Sequence, residues 1–166
     1  MILGIAIYHF YDSYLKFIVQ TELTQYKRPE SVLVVVYTRD GKVLVLRRSY
    51  PDDFWQSVTG SLEWGEDALP AAKRELFEET GIQGKEVVDC NYSAEFDIYS
   101  IWRDRYAPGV TSNTEHVFVL ELEEACEIQI DPAEHGEYRW VSKDEAAEIV
   151  TSHTNHDAIV RWVPTF

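Results

Sequence analysis

Glu75, Glu78 and Glu79 occupy a span of five residues inside the segment 60–82, GSLEWGEDALPAAKRELFEETGI. If that segment is helical, a rotation of about 100° per residue gathers the three carboxylates on neighbouring turns of one face. Like charges so placed repel by a few tenths of a kcal/mol per pair, so the cluster calls for a counterpart. A hard divalent cation supplies one. Mg²⁺ takes oxygen ligands in an octahedron, keeps several waters, and is usually held by one or two carboxylates together with substrate phosphates. On these three residues alone a solvated acidic face remains the plainer alternative.

The elements that must position the cluster are legible around it. Pro70 falls in a first turn, where its missing N–H costs little, and Gly81 follows the last turn, where a left-handed cap is wanted. The spacing therefore predicts a helix over 67–80, with Leu69, Ala72, Leu76 and Thr80 as the face that packs on a sheet. Residues 31–38, SVLVVVYT, are β-branched; Asp40-Gly41 signals a turn; and 42–47, KVLVLR, alternates like a half-buried strand, so the three together predict a hairpin. Further strands are expected at 86–100, 114–123 and 138–141, with the short FWQSV segment at 54–58 between hairpin and helix. A helix at 143–150 opens on a capping box, Ser142 with Glu145 three residues on, and 153–162 predicts another. Mixed strands with a few helices and no repeat indicate a single α+β layered domain.

Composition bounds the rest. The 166 residues suit one domain. A net charge of −14 repels a polyphosphate backbone or an anionic membrane surface, which excludes general nucleic-acid and membrane binding from the expected functions. Residues 1–25 carry only Asp12, Lys16 and Glu22, so nearly all the excess acid lies in 26–166. With 45% hydrophobic residues the acidity does not mean disorder. Cys90 and Cys126 form no CxxC pair and sit among strand-like residues, so they read as buried reduced thiols suited to a cytoplasmic protein. His153 and His156 have a metal-like spacing but no second pair of ligands, and read as a polar helix face. Residues 1–20 lack the basic start and cleavage site of an export signal, and Asp12 and Lys16 interrupt any membrane span. The stretch 1–25 is expected to be an extension of unknown role beside a domain at 26–166.

Context decides between the metal and solvated readings of the glutamates. The segment resembles the box of the Nudix hydrolase family, G-x5-E-x7-R-E-U-x-E-E-x-G-U with U bulky and apolar. Gly60, Glu66, Arg74, Glu75, Leu76, Glu78, Glu79, Gly81 and Ile82 fill every defined position. At average residue usage the chance per starting position is on the order of 10⁻⁹. The resemblance implies an α/β/α sandwich with a mixed sheet and hydrolysis of a nucleoside diphosphate linked to another moiety. It also implies Glu75 and Glu79 as principal ligands of Mg²⁺, with Mn²⁺ as a substitute, and Glu78 as ligand of a second ion or holder of water. Glu66 and Arg74 read as a pair bracing loop against helix, and Gly60 and Gly81 as residues of tight turns. Glu134, in DPAEHGEYRW, is a further candidate for metal ligand or general base, provided its loop folds back over the helix; the plainer reading is a surface loop residue.

The resemblance extends outside the box, through YKRP at 26–29, FWQSVTGS at 54–61, RYAPGV at 105–110 and NTE at 113–115, to a bacterial branch of the family. The resemblance to that branch implies removal of pyrophosphate from 7,8-dihydroneopterin triphosphate, a step toward folate, with dATP and other nucleoside triphosphates as candidate secondary substrates. By this resemblance Lys27, Arg48 and Thr59 contact substrate; Phe96, Asp97, Ile98 and Tyr99 line the pocket, with a core or strand-surface place the equal alternative for Phe96 and Tyr99; and Ser152 is a weaker contact that could equally cap the last helix. A triphosphate on an acidic protein needs local cations, and Lys27, Arg48, Arg103 and Arg105 are the donors available. Trp55 and Trp140 read as core anchors, and Trp64 as an adjuster of loop packing. The alternatives are a general nucleotide-pool pyrophosphohydrolase and a non-catalytic nucleotide sensor; the expected partner is a small triphosphate, bound by a monomer or homodimer.

Overall fold

The computed structural model describes residues 25–165, so the stretch 1–25 lies, apart from its last residue, outside the described residues. Seven strands and three α-helices follow in order: β1 (Glu30–Thr38), β2 (Lys42–Arg48), β3 (Trp55–Gln56), β4 (Val58–Ser61), α1 (Ala68–Thr80), β5 (Val88–Asp97), β6 (Ser112–Leu122), β7 (His135–Ser142), α2 (Lys143–Ile149) and α3 (His153–Trp162). A 3₁₀ turn, Ser100–Arg105, joins β5 to β6. The hairpin, the bounded helix and the final helix pair fall where the sequence predicts them. The strand predicted over 86–100 is shorter at both ends, and that predicted over 138–141 is longer, beginning at His135.

β1 is the spine of the sheet. It runs parallel to β6 over nine pairs, Glu30↔Thr114 through Thr38↔Leu122, while its other edge is shared by β4 and β2, both antiparallel. β7 lies antiparallel on β2, and β5 on β6, giving a mixed sheet. A strand covered on both faces should be apolar at every position rather than at alternate ones, which explains the run VLVVVY. Val32, Val34 and Val36 enter one core with Leu76, Ala71 and Ala72 of α1. Leu33, Val35 and Tyr37 enter a second core with Ala146, Ala158 and Ile159 of the other two helices. The result is the expected α/β/α sandwich.

Two expectations need correction. Leu69 is exposed, and Ala68, Ala71 and Ala72 rather than Leu69 open the face of α1 that meets the core, because at about 100° per residue the buried stripe centres near Ala72 and Glu79 and leaves Leu69 at its flank. Cys126 is exposed and Cys90 half-buried, not interior; both thiols are free. Cys126 falls in a loop after β6, and Cys90 sits near the edge of β5, a strand with little covering it on one side. Among the described residues no helix is long and apolar enough to cross a membrane.

Candidate active site

α1 is fixed at its end by geometry that the sequence anticipates. Gly81 adopts φ 73°, ψ 0° and its N–H donates to Phe77 O, closing a left-handed cap. Beyond it, Gln129 N donates to Thr80 O at 3.0 Å, so the 124–134 loop does fold back over the helix end. Ser49 at the end of β2 clamps the same loop, its N–H donating to Glu134 O at 2.8 Å and its hydroxyl to Pro132 O at 3.0 Å. Glu134 is thereby brought beside the helix, and so is His135, which the sequence reading missed.

Arg74 organises the acidic face. Its Nε and Nη2 donate to Glu66 Oε1 and Oε2 at 3.0 and 2.8 Å, a bidentate fork that ties the 62–67 loop to α1. Its Nη1 reaches Glu75 Oε1 at 2.7 Å and Glu78 Oε2 at 2.9 Å. Gly60 departs from its expected role as a turn residue. A Cβ there would stand 1.8–2.2 Å from the Glu75 carboxylate, so glycine is needed because that carboxylate lies directly on the backbone of β4.

The carboxylates differ in burial. Glu78 and Glu134 are exposed, Glu75 is half-buried and Glu79 is enclosed. Burial pushes the Glu75 carboxyl up to about 7 despite the pull of Arg74, and pushes Glu79 up against the compensating His135. Glu79 Oε2 accepts from Thr59 N at 3.2 Å, whereas its Oε1 faces His135 Nε2 at 3.1 Å without the alignment of a hydrogen bond. Donor atoms of Glu79, Glu134 and His135 lie within 4.8 Å of one another. Glu79 Oε1 and the His135 ring nitrogens are buried without a partner, and with the exposed Glu134 carboxylate beside them this set of donors fits a divalent cation.

Opposite the acids the chain gathers cations. A cavity of about 550 Å³ is lined by Glu75, Glu78 and Glu134 together with Lys27, Arg48 and Arg105. Lys27 N donates to Arg105 O at 2.8 Å, which pins the segment before β1 to the 3₁₀ turn. Burial and then the neighbouring Arg105 guanidinium hold the Lys27 ammonium below its usual range. Arg48 lies 5.4 Å from the centroid of the Trp102 ring, in an edge-to-face cluster of Trp102, Phe54 and Tyr99. Thr59, Gly60, Phe96 and Ile98 also line the cavity.

Asp97, Tyr99, Arg103 and Ser152 do not line it. Asp97 alternates to the far side of the strand from Phe96, Tyr99 packs into the aromatic cluster, and Arg103 Nε donates to Ile98 O at 3.2 Å. Ser152 caps α3, accepting from Asn155 N at 3.2 Å. Trp55 is a core residue with Arg139 stacked 4.5 Å over it, Trp140 is partly buried against the α1 core, and Trp64 donates to Tyr26 O at 2.9 Å. Ser31, Asn113 and Glu115 line the cavity and were not expected to. The NTE tripeptide was the available signal, but a lone polar triplet does not say which way a strand faces.

Comparison with known proteins agrees with this geometry. Residues 27–163 match the NUDIX domain. The chain is 48% identical over 143 residues to dihydroneopterin triphosphate diphosphatase of Escherichia coli (strain K12), covering 83% of this chain and 94% of that one. It is 42% identical over 146 residues to the protein of the same name from Haemophilus influenzae, covering 85% and 91%. The solved E. coli dihydroneopterin triphosphate pyrophosphohydrolase superposes with a TM-score of 0.79 at 46% identity, over 83% of this chain and 97% of that one. With the box filled, the sandwich formed and the acids and cations facing one cavity, the chain belongs to the Nudix hydrolase family.

Proposed function

We propose that this protein hydrolyses 7,8-dihydroneopterin triphosphate to the monophosphate and pyrophosphate, using Mg²⁺, for which Mn²⁺ can substitute. The observation that carries the reading is a cavity with both carboxylates and cations on its wall, a surface complementary to a metal-bound triphosphate. The names of the relatives that are 48% and 42% identical support the choice of substrate.

Glu75, Glu79 and Glu134 would hold the cation, with Glu78 at its exposed side. The ion supplies neutralisation of phosphate charge and a lowered pKa for the water it binds. Lys27, Arg48 and Arg105 bind the phosphate chain, the guanidinium forks taking two oxygens each, while Thr59 offers a hydroxyl beside them. A carboxylate must accept the proton of the attacking water, and Glu75, Glu78 and Glu134 all face the cavity for that role. Arg74 acts as a positioning residue: its contacts to Glu66, Glu75 and Glu78 hold the helix face and loop in one arrangement.

The test is turnover of a panel containing dihydroneopterin triphosphate, dATP, GTP, nucleotide sugars and diadenosine polyphosphates with Mg²⁺. Preferential release of pyrophosphate from the pterin substrate is expected. Preferential turnover of dATP would overturn the substrate assignment, and binding without turnover would indicate a sensor.

A further inference from the structure

Glu115 and Asn113 lie in the cavity wall on the sheet face covered by α3, whereas the box glutamates rise from α1 on the opposite face. The parallel register sets Ser31 beside Glu115, and the next residues of that face, Leu33 and Val117, enter the α3 core. Glu115 is 4% exposed and Asn113 1%. Asn113 Nδ2 donates to Ser31 Oγ at 2.7 Å, which fixes the amide with its oxygen free. Thr154 and Ser31 offer hydroxyls to the Glu115 carboxyl. Two acceptors are left over: Glu115 Oε2 and Asn113 Oδ1 are buried and have no partner within the described chain.

Orphaned buried acceptors each cost free energy unless something donates to them, and two in one cavity wall ask for a ligand with paired donors. Phe96, in register with Asn113, adds an apolar face against which a flat ring can lie. We propose that Glu115 and Asn113 form the base-recognition subsite, accepting two adjacent N–H groups such as the ring N–H and 2-amino group of a 2-amino-4-oxopyrimidine. Pterin and guanine present that edge. Adenine places a ring acceptor beside its one amino group, and its lone pair would face a carboxylate oxygen. The subsite thus selects pterin- and guanine-type triphosphates over dATP. The inference deepens the proposed function and rests on that reading of the cavity.

Its test separates the two. kcat and KM are measured for dihydroneopterin triphosphate, dGTP, dITP and dATP with the wild-type chain and with Glu115→Gln, which keeps shape but turns one acceptor into a donor. dITP differs from dGTP only by the missing 2-amino group, so the wild type should favour dGTP in kcat/KM by about tenfold or more, expressed in KM. Glu115→Gln should lower the dGTP:dATP ratio of kcat/KM by about tenfold, again through KM. Equal treatment of dGTP and dITP by the wild type, or an equal loss on every substrate in the variant, overturns the subsite. Should the variant fail to fold, the wild-type dGTP:dITP comparison decides alone. If no triphosphate is hydrolysed, the proposed function fails, and calorimetric binding of dGTP against dITP still decides the subsite by the same preference.

Discussion

Replacing Glu115 with Gln should make the protein more stable at alkaline pH while damaging its selectivity. Burial pushes the Glu115 carboxyl from its ordinary 4.5 up to about 7, with Thr154 and Ser31 compensating only in part. Between those two values the folded chain keeps a proton that the unfolded chain releases. The stability linked to this group is therefore complete below the unfolded value, is lost as pH rises through the folded value, and does not return above it. At about 1.4 kcal/mol per unit the loss amounts to about 3 kcal/mol. Gln removes it, so near pH 8 the variant should be more stable by up to about 3 kcal/mol, roughly 6–12 °C in melting temperature for a chain of this size. Near pH 4.5 the advantage should vanish. Tyr99 and Tyr106, which face the same carboxylate, are both pushed upward and stay neutral across this range, so they do not confuse the comparison. The assay is urea unfolding of both proteins at the two pH values. The same stability difference at both, or a wild type more stable near pH 8, would refute the reasoning.

The acidic cluster carries further expectations. Glu79→Gln keeps an acceptor for Thr59 N and should leave the melting temperature within about 4 °C while lowering kcat about 100-fold or more, read by circular dichroism and steady-state turnover; near-normal turnover would remove Glu79 from the site. Gly60→Ala would press a Cβ into the Glu75 carboxylate, the movable end of a side chain, so activity should fall about tenfold while stability changes by about 1 kcal/mol or less. Arg74→Lys removes the fork to Glu66 and part of the grip on Glu75 and Glu78, and should raise the Mg²⁺ concentration for half-maximal activity about tenfold. Retention of wild-type metal dependence would show that those contacts do not position the cluster.

The local grammar of this chain was readable because it depends on neighbours in sequence. Gly81 caps its helix, Ser142 caps the next by accepting from Glu145 N, and the VLVVVY run sits in the middle of a sheet as its unbroken apolarity requires. What escaped depends on pairs distant in sequence. The role of Ser31, Asn113 and Glu115 follows from a parallel register that joins residues 84 apart, and no periodicity in either strand reveals it. His135 falls ahead of the strand expected at 138–141, and only the return of that loop over α1 sets it against Glu79. Gly60 matched the family pattern, but its reason is the approach of a side chain from a helix and not the turn that glycine commonly signals. In sequence Ser152 suits either a substrate contact or a helix cap, and its hydrogen bonds to Asn155 are those of a cap.

The excess of acid that argues against nucleic acid and membranes does not weaken the case for a small polyanion, because Lys27, Arg48 and Arg105 line the same cavity as Glu75, Glu78 and Glu134. The most direct check is to follow dihydroneopterin triphosphate by phosphorus NMR with the purified full chain and Mg²⁺. Equal amounts of the monophosphate and pyrophosphate should appear, faster than products from dATP, and formation of both should stop when the metal is chelated. Release of orthophosphate in place of pyrophosphate, turnover undiminished by chelation, or faster turnover of dATP would contradict the account.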